Sequence, residues 1–351
     1  MKILMVIRYN SVPNPYVNSL VNGLINFGHD VKCDLDLFWN SFNDFDLLFF
    51  QWPEAIFEWE RNSIDLQKLS EHFEKIRKAH IKMIITCHNL RPHNKDKKTV
   101  ELYNLVYSKV DAFHHMGNYS YEKLKKRFPH QYHFIAPHHV ADSLWEYSIN
   151  SIDAKRALHI PKDNIVISSF GEFRNTDEVH LFLDMAKDVS NRHISFLAPR
   201  LPIGRIYNGR WINKSIKNLY LLILYKKLGI KYSGFLSNEE LKVWLSASDV
   251  VFIQRKEILN SGNVPLAFSA SKIVVGPNQG NVGAILKETD NFIFEPYDKA
   301  SVKKAVIDAI STVRQNSQLG FNNFQYAMRN WSTKRICGLI NEVISIIINN
   351  K

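Results

Sequence analysis

Short apolar runs alternate along the chain with longer stretches in which apolar residues recur at helical spacing. Ile3–Ile7 and Asp46–Trp52 are runs of the first kind, typical of strands covered on both faces of a parallel sheet. Val12–Phe27 is a stretch of the second kind, and Gly28 is placed to end its helix. The same patterns predict strands at His29–Val31, Ile81–Cys87, Ala112–His115 and Tyr132–Ile135, and helices at Ile64–Lys78, Val100–Lys109 and Ser120–Arg127.

The alternation begins again after a looser stretch at Ala141–Asp163. Strands are predicted at Ile165–Phe170, His193–Leu197, Lys231–Phe235, Val250–Gln254, Lys272–Val275 and Asn291–Phe294, helices at Val179–Ser190, Asn238–Ser246 and Ser261–Ser269, and a mostly helical tail from Lys299. This order is typical of an α/β fold. We therefore expect two Rossmann-like α/β domains, 1–150 and 151–330, with parallel sheets facing a cleft. A C-terminal helix, 331–351, could pack back on the N-terminal domain.

The composition of the 351 residues is that of an ordinary globular protein. Hydrophobic residues make up 45% and charged residues 23%, which excludes a disordered or fibrous chain. The three cysteines (Cys33, Cys87 and Cys337) are too few and too scattered for a disulfide framework or a zinc site, so we expect no metal. The apolar N-terminus is too short for a signal peptide, and no run reaches the roughly 18 apolar residues of a spanning helix. A cytoplasmic protein is predicted.

The charge is unevenly distributed. The chain carries 45 Lys and Arg against 34 Asp and Glu, a net charge of +11, and residues 200–231 hold bases and aromatic residues but no acid. Three interpretations of this segment stay open: a solvated helix face, an anionic membrane surface or lipid diphosphate acceptor on the inner face of the membrane, and nucleic acid. Nucleic acid rests on charge alone, so we expect none.

Polar residues gather where the predicted strands of the first domain end, which is where ligands bind in parallel sheets. The loop after the first strand, Arg8–Pro15, includes Asn14, which is either a helix cap or part of a cleft wall. This loop has no G-x-G-x-x-G motif, so the usual dinucleotide-binding pattern is missing. Trp52 and Glu54 follow the next apolar strand and suit sugar stacking and hydroxyl binding, although Trp52 is equally suited to a core.

Histidines follow two further strand ends of the first domain. His88 comes directly after the Ile81–Cys87 strand, with His93 on the same loop, and His138 follows Tyr132–Ile135. These side chains are either structural or part of an acceptor site. Adjacent histidines alone are not a metal pattern.

Positive and flexible residues follow the strands of the second domain. Gly171 permits close backbone approach and Arg174 presents a guanidinium fork suited to a diphosphate. Arg255 precedes Ser261, a candidate helix N-cap, so the free N–H groups there form either an anion site or only a capped helix. A glycine-rich turn around Gly280 offers further backbone groups to a phosphate or ribose.

Taken in order, these segments resemble the group 1 glycosyltransferases, the large family 4 of nucleotide-sugar enzymes with the two-domain GT-B fold. The segments that carry the resemblance are Gly28–Val31, Phe50–Glu54, Thr86–His93, Ala136–His138, Phe170–Arg174, Ser233–Leu236, Ala247–Val251 and Asn260–Gly280. The resemblance covers nearly the whole chain. It implies an N-terminal acceptor-binding domain and a C-terminal nucleotide-sugar-binding domain.

The resemblance also implies roles for single residues. Arg174 would hold the donor diphosphate, with Arg255 beside it. Backbone donors to the phosphates or the donor sugar would come from Ser261, Gly262 and Asn263, with Gly171 and Gly280 in the same donor site. His88 would approach the sugar at the reaction centre, and Glu257 would stand for the first glutamate of the family. The acceptor side would comprise Asn14, Trp52, Glu54, His93 and His138.

Two positions depart from the family pattern. Asp177 stands where the family has a second phosphate-binding lysine, and Pro265 stands where the second glutamate of the pair would be.

The reaction that the resemblance implies is transfer of a sugar from a nucleoside diphosphate sugar to an acceptor hydroxyl, with retention and without a metal or other cofactor. Positive groups aimed at the departing diphosphate would stabilise the transition state. A hexosyltransferase of bacterial-type surface polysaccharide or glycolipid synthesis, with a saccharide or lipid-linked acceptor, is expected. The alternatives are a catalytically inactive nucleotide- or sugar-binding protein of the same fold and a nucleotide-sugar epimerase.

Overall fold

The computed structural model describes residues 1–8, 14–93, 96–140, 149–202 and 211–349, without the side chains of 211–218. The chain forms two compact α/β units. Unit 1 comprises Met1–His139 and Asn330–Lys351, and unit 2 comprises Val140–Arg329. Residues 9–13 of the predicted first loop, and residues 203–210 of the basic segment, lie outside the described residues.

Unit 1 is built on one parallel sheet of six strands in the order β2-β1-β3-β4-β5-β6. The strands are β1 (Lys2–Val6), β2 (Asp30–Cys33), β3 (Leu47–Phe50), β4 (Lys82–Thr86), β5 (Ala112–His115) and β6 (Tyr132–Ile135). The helices of this unit are α1 (Pro15–Asn26), α2 (Leu35–Asn40), α3 (Leu66–Lys78), α4 (Lys97–Lys109), α5 (Asn118–Arg127) and α14 (Thr333–Asn349). Every residue of β3 and β5 is buried, which confirms the prediction of a parallel sheet covered on both faces.

Unit 2 repeats the architecture with a second parallel sheet, ordered β12-β11-β10-β7-β8-β9. Its strands are β7 (Ile165–Ser168), β8 (Ile194–Leu197), β9 (Ile230–Lys231), β10 (Val250–Phe252), β11 (Ile273–Pro277) and β12 (Phe292–Phe294). Its helices are α6 (Ser151–Ala157), α7 (Thr176–Val189), α8 (Trp211–Lys227), α9 (Asn238–Ala247), α10 (Asn263–Ser269), α11 (Gly280–Glu288), α12 (Lys299–Arg314) and α13 (Leu319–Trp331). The predicted pair of Rossmann-like domains is confirmed.

Three local predictions for unit 2 are wrong. The strand predicted to continue to Phe235 ends at Lys231, because Gly234 takes a φ of 115° and turns the chain. The stretch predicted to be loose contains α6, which the Asn150 side chain caps by accepting the N–H of Ile152 at 2.8 Å. The glycine-rich turn is instead the start of α11, which begins at Gly280.

Helix α8 has one buried and one exposed apolar face. Leu221, Leu224 and Tyr225 lie in the core of unit 2. Leu219, Tyr220 and Ile223 are each 59% exposed. The apolar sequence of the run Leu219–Tyr225 predicts that part of it is buried, and one face is, because residues three and four apart share a face of a helix. None of the helices in the described part of the chain has both the length and the apolar character that crossing a membrane requires.

The C-terminal helix α14 packs on α1 within unit 1. It buries an apolar stripe at Ile336, Cys337, Ile340, Ile344 and Ile347. The two helices approach closely at Gly23, where a Cβ would overlap Sγ of the buried Cys337. Close backbone approach therefore requires a glycine here.

Gly23→Ala is expected to lower the free energy of unfolding by about 1–3 kcal/mol, because overpacking at Cys337 outweighs the better helix propensity of alanine. Gly338→Ala on α14 is the matched control, since a Cβ there meets only the edge of the Phe27 ring at 3.4 Å. Thermal denaturation monitored by circular dichroism measures both. Equal melting temperatures for Gly23→Ala and the parent protein would contradict the close packing. Adding Cys337→Ala to Gly23→Ala should restore part of the lost stability.

Candidate functional site

Three arginines meet at the carboxyl edge of the unit 2 sheet, and we call Arg174, Arg200 and Arg255 the arginine cluster. They follow β7, β8 and β10, which are neighbours in the sheet order β10-β7-β8. Their charges act on one another: burial lowers the pKa of Arg255 most, and the positive charges of Arg174 and Arg200 lower it further. The cluster therefore favours an anionic ligand.

Glu178 at the start of α7 organises the cluster. Its Oε1 pairs with Nη1 of Arg255 at 3.0 Å, with both side chains about nine-tenths buried. Its Oε2 accepts the backbone N–H of Arg174 at 2.8 Å. One carboxylate thus fixes the guanidinium of Arg255 and the backbone at Arg174.

Arg174 supplies the uncompensated charge of the cluster. The residue is exposed, and within the described part of the chain no carboxylate lies within ion-pair distance of its guanidinium. The other two members have acidic neighbours, since Arg255 pairs with Glu178 and Arg200 pairs with Glu172. An anionic ligand would therefore pair with Arg174 first.

Arg200 was grouped above with the basic segment, and the structure corrects that assignment. Its Nη2 lies 3.2 Å from Oε2 of Glu172, and its guanidinium lies 5.8 Å from the ring centroid of Phe235, which is 82% exposed. Arg200 follows the apolar strand β8, so the rule that selected Arg174 would also have selected it. The count of charged residues over 200–231 instead grouped Arg200 with the basic residues that follow it.

Gly171 lies against the loops that follow β10. A Cβ at Gly171 would stand 2.6 Å from Nε2 of Gln254 and 3.1 Å from Nδ2 of Asn263, so a larger residue would displace the Gln254 amide. Gln254 is fully buried and donates to the backbone carbonyl of Glu172 at 3.3 Å, which also accepts from Nη2 of Arg255 at 3.1 Å. The predicted donor residues Gly171, Arg174, Arg255 and Asn263 are therefore brought to one edge.

The loop before α10 differs from its prediction in one respect. The N-cap of α10 is Gly262, and Ser261 instead accepts the backbone N–H of Asn263 through its hydroxyl at 3.3 Å. Gly280 lies beside this loop with a φ of 59°, and a Cβ there would overlap the backbone of Ile258 and Leu259. Its glycine is thus required both by conformation and by space.

Glu257 is exposed, and among the described residues the carboxylates that pair with the arginine cluster are those of Glu172 and Glu178 instead. Its carboxylate accepts a hydrogen bond from the Tyr297 hydroxyl at 3.2 Å, and Lys256 Nζ lies 5.3 Å from the centroid of the same ring. The catalytic role predicted for Glu257 stays a prediction.

A second group of polar side chains lies at the carboxyl edge of the unit 1 sheet, around Tyr16 of α1. The Tyr16 ring stacks on His139 at 4.8 Å, meets His138 at 4.7 Å and meets His88 edge-on at 5.4 Å. Behind it, Thr86 lies 3.1 Å from Nδ1 of the buried His114. We call His88, His114, His138 and His139 the histidine cluster.

His88 has the most defined surroundings in the histidine cluster. Its ring stacks on Trp52 with centroids 4.2 Å apart and planes 17° from parallel. Nε2 of His88 lies 3.0 Å from Oε1 of the buried Gln51. Burial, followed by the charges of His114 and His138, holds the pKa of His88 well below its usual range. A neutral imidazole can accept or donate a hydrogen bond without carrying a charge.

The remaining predicted acceptor residues lie at the same edge but outside the histidine cluster. Glu54 accepts a hydrogen bond from the Tyr103 hydroxyl at 3.0 Å, and burial raises its pKa. Asn14 is the N-cap of α1, with its side chain accepting the N–H of Tyr16 at 3.0 Å. His93 is exposed.

Unit 1 also contains an open cavity of about 510 Å³, whose lining does not include the predicted acceptor residues. Its walls include the rings of Trp39 and Phe57, and at its rim Arg8 pairs with Glu58 at 2.8 Å and with Asp36 at 3.4 Å. Aromatic faces beside charged groups suit a polar ligand with apolar patches, such as a saccharide.

Two Asp-x-Asp sequences in unit 1 serve the backbone. Asp34 caps α2 by accepting the N–H groups of Asp36 and Leu37, and Asp46 accepts the N–H of Lys2 at 2.7 Å. Across the residues that the structure describes, no group of three His, Cys, Asp or Glu side chains is arranged to hold a metal ion.

No family model and no curated protein matches the chain, but solved structures do. HepE of Anabaena, solved with UDP-glucose, is 13% identical over 99% of this chain and 100% of its own, with a TM-score of 0.75. Sucrose-phosphate synthase of Thermosynechococcus elongatus is 12% identical over 100% of both chains, with a TM-score of 0.73. A Listeria monocytogenes protein assigned as a UDP-N-acetylglucosamine 2-epimerase is 12% identical over 100% of this chain and 97% of its own, with a TM-score of 0.60. At these identities the likeness shows the fold, which is GT-B.

The buried histidines make unit 1 sensitive to acid. Burial lowers the pKa of His114 to about 4 and that of His139 to about 3, against about 6.5 in an unfolded chain. Below pH 6.5 the unfolded chain therefore binds more protons than the folded one, so stability falls as the pH falls. The stability lost per pH unit for each such histidine should rise from about 0.7 kcal/mol at pH 6.5 toward about 1.4 kcal/mol near pH 5.

Urea unfolding at pH 7, 6.5, 6, 5.5 and 5 measures this slope. His139→Phe keeps the ring that stacks on Tyr16 and should reduce the slope by about one proton equivalent. His130→Gln, at an exposed position outside the histidine cluster, is the control and should keep the parent slope. A slope unchanged in His139→Phe would contradict the neutral, buried state of His139.

Proposed function

We propose that this chain is a glycosyltransferase that moves a sugar, a hexose in the simplest case, from a nucleoside diphosphate sugar to an acceptor hydroxyl. The observation that carries the proposal is the arginine cluster, with its uncompensated Arg174, at the carboxyl edge of a GT-B unit. HepE, which has the same fold, was solved with UDP-glucose. The donor diphosphate would bind at Arg174 and Arg255.

In the proposed reaction the bond between the anomeric carbon and the diphosphate oxygen breaks, and its electron pair leaves with the diphosphate. A new bond forms from the acceptor oxygen to the anomeric carbon, and the proton of the acceptor hydroxyl passes to the departing diphosphate oxygen. Arginines held in place before the reaction stabilise the departing charge without reorganising. Arg255 is held in this way by Glu178, and it would stand in for the lysine that Asp177 replaces. With the arginines stabilising the departing charge, the proposed transfer would need no divalent metal, and the resemblance to the family implies retention.

Unit 1 would bind the acceptor and contact the donor sugar. His88 would approach the reacting sugar, while Trp52 and His138 would line the acceptor side. A saccharide would also suit the separate cavity beside Trp39 and Phe57, because flat sugar faces pack on aromatic rings.

Two alternatives to transfer are each favoured by one observation. The likeness to a protein assigned as a UDP-N-acetylglucosamine 2-epimerase favours an epimerase, which would change the donor in the absence of acceptor. Asp177 in place of a phosphate-binding lysine favours a nucleotide-binding protein without catalysis. Release of nucleoside diphosphate only when acceptor is present separates transfer from both.

The wider part of the proposal concerns where the protein acts. It would act in the cytoplasm at the inner face of the membrane, in polysaccharide or glycolipid synthesis. Leu219, Tyr220 and Ile223 on α8 are exposed, and Lys226 and Lys227 at the end of α8 are exposed as well. Apolar and basic residues together suit the surface of an anionic membrane, where a lipid-linked acceptor would reside.

Arg174→Ala is expected to weaken nucleotide-sugar binding at least tenfold, because the uncompensated guanidinium of the arginine cluster is lost. A thermal-shift panel of UDP, GDP, ADP and CMP sugars first identifies the donor, and titration calorimetry then gives its Kd. Arg192→Ala, another exposed arginine of unit 2, is the control and should leave the Kd unchanged. Equal affinity of Arg174→Ala and the parent protein would remove Arg174 from the diphosphate site.

Lys226→Ala with Lys227→Ala is expected to reduce binding to vesicles that contain phosphatidylglycerol, by severalfold at low salt, since each lysine near an anionic surface contributes about 1 kcal/mol. Flotation with vesicles measures this. Lys287→Ala with Lys303→Ala, two exposed lysines elsewhere in unit 2, is the matched control. If the parent protein does not float with the vesicles, the membrane part of the proposal is wrong.

A further inference from the structure

Gln51 is a polar residue in a position where a stable fold favours an apolar one. It follows β3 directly and is 0% exposed. Its Oε1 faces the imidazole of His88, and among the described residues its amide nitrogen has no hydrogen-bond partner. A buried amide with one end unsatisfied costs stability compared with an apolar side chain of similar size. Stability alone therefore does not account for a glutamine here.

The contact between Gln51 and His88 determines where the imidazole carries its proton. A carboxamide oxygen can only accept a hydrogen bond, so Nε2 of His88, 3.0 Å away, must be the protonated nitrogen. Nδ1 of the neutral ring then carries the lone pair. The tautomer is thus set by a residue 37 positions away in the sequence.

Two further contacts hold the plane of the same ring. Trp52 stacks on one face of His88 at 4.2 Å, and Tyr16 meets the ring at 5.4 Å with planes 84° apart. In the described part of the chain, the titratable side chains that act on His88 include His114 and His138, both with lowered pKa values, and burial with these neighbours keeps His88 neutral near pH 7. The ring therefore has one plane and one protonation state.

We propose that Gln51 is a positioning residue: its Oε1 holds His88 in the Nε2–H tautomer and so sets the protonation state with which the ring meets the sugar substrate. This inference rests on the proposed function only in the identity of the ligand. The tautomer is a property of the protein alone and can be measured without a substrate.

Long-range ¹H–¹⁵N NMR spectra of the histidine rings in the full chain test the proposal, with His88→Gln to assign the His88 signals. The parent protein should show His88 protonated at Nε2. Gln51→Leu should shift His88 toward a mixture of tautomers, because the acceptor is lost. Gln51→Glu retains an acceptor, so the tautomer should persist, and its negative charge should raise the pH at which His88 takes up a second proton.

Asn341→Leu is the matched control. Oδ1 of Asn341 contacts Nε2 of His29 at 2.7 Å in the same chemical arrangement, but on α14 and outside the histidine cluster. This variant should leave the His88 signals unchanged. His88 protonated at Nδ1 in the parent protein, or an unaltered tautomer in Gln51→Leu, would overturn the proposal.

Stability and turnover separate a positioning role from a structural one. Gln51→Leu should melt at the parent temperature or above it, since an unsatisfied amide is removed, while kcat with the donor identified in the thermal-shift panel falls at least tenfold and KM changes less than threefold. Gln51→Glu should recover most of the turnover. A lower melting temperature with unchanged kcat would show that Gln51 is structural. Should Gln51→Leu not fold, the tautomer of His88 in the parent protein and in Gln51→Glu decides the question, since protonation at Nδ1 in either would overturn the proposal.

Failure of the proposed function has a different signature. If the parent protein turns over none of the nucleotide sugars, the proposed transfer is wrong, while the NMR comparison still decides whether Gln51 sets the tautomer of His88.

Discussion

Burial of each sheet on both faces is the constraint on which the rest of this structure depends. In unit 1, β3 and β5 are buried along their whole length, and in unit 2 the same is true of β7 and β10. Strands of this kind leave polar side chains only at their ends, and parallel pairing brings those ends to one edge. The arginine cluster and the histidine cluster both follow from this arrangement.

The carboxyl edges of the two sheets differ in the charge of their side chains. At the unit 2 edge, buried Glu178 compensates Arg255, so Arg174 can remain without an acidic partner. At the unit 1 edge, burial keeps His114 and His139 neutral; contacts with Thr86 and the Ala136 carbonyl orient the His114 ring, and stacking on Tyr16 orients the His139 ring. A charged edge suits a diphosphate, and a neutral edge rich in acceptors and aromatic faces suits a sugar. The proposed division between donor and acceptor units follows from this contrast.

Sequence patterns predicted those parts of the molecule that depend on local order. The strands Ala112–His115 and Tyr132–Ile135 begin and end where the apolar runs do. Polar residues after strands likewise located Arg174, Arg255 and His88. The predictions failed where backbone conformation or contacts between distant residues determine the structure. The chain turns early at Gly234, and α6, which Asn150 caps, has a largely polar sequence that did not indicate a helix. The contact between Gln51 and His88 has no local signal in the sequence.

The central claim is that the unit 2 edge recognises a diphosphate, and titration calorimetry of nucleotides against their own nucleosides tests it most directly. UDP, GDP and ADP are each compared with uridine, guanosine and adenosine at two salt concentrations. The account predicts that one diphosphate binds at least tenfold more tightly than its nucleoside, with a gain that shrinks as salt rises. Equal affinity for nucleoside and diphosphate, or binding of none of the six, would contradict it.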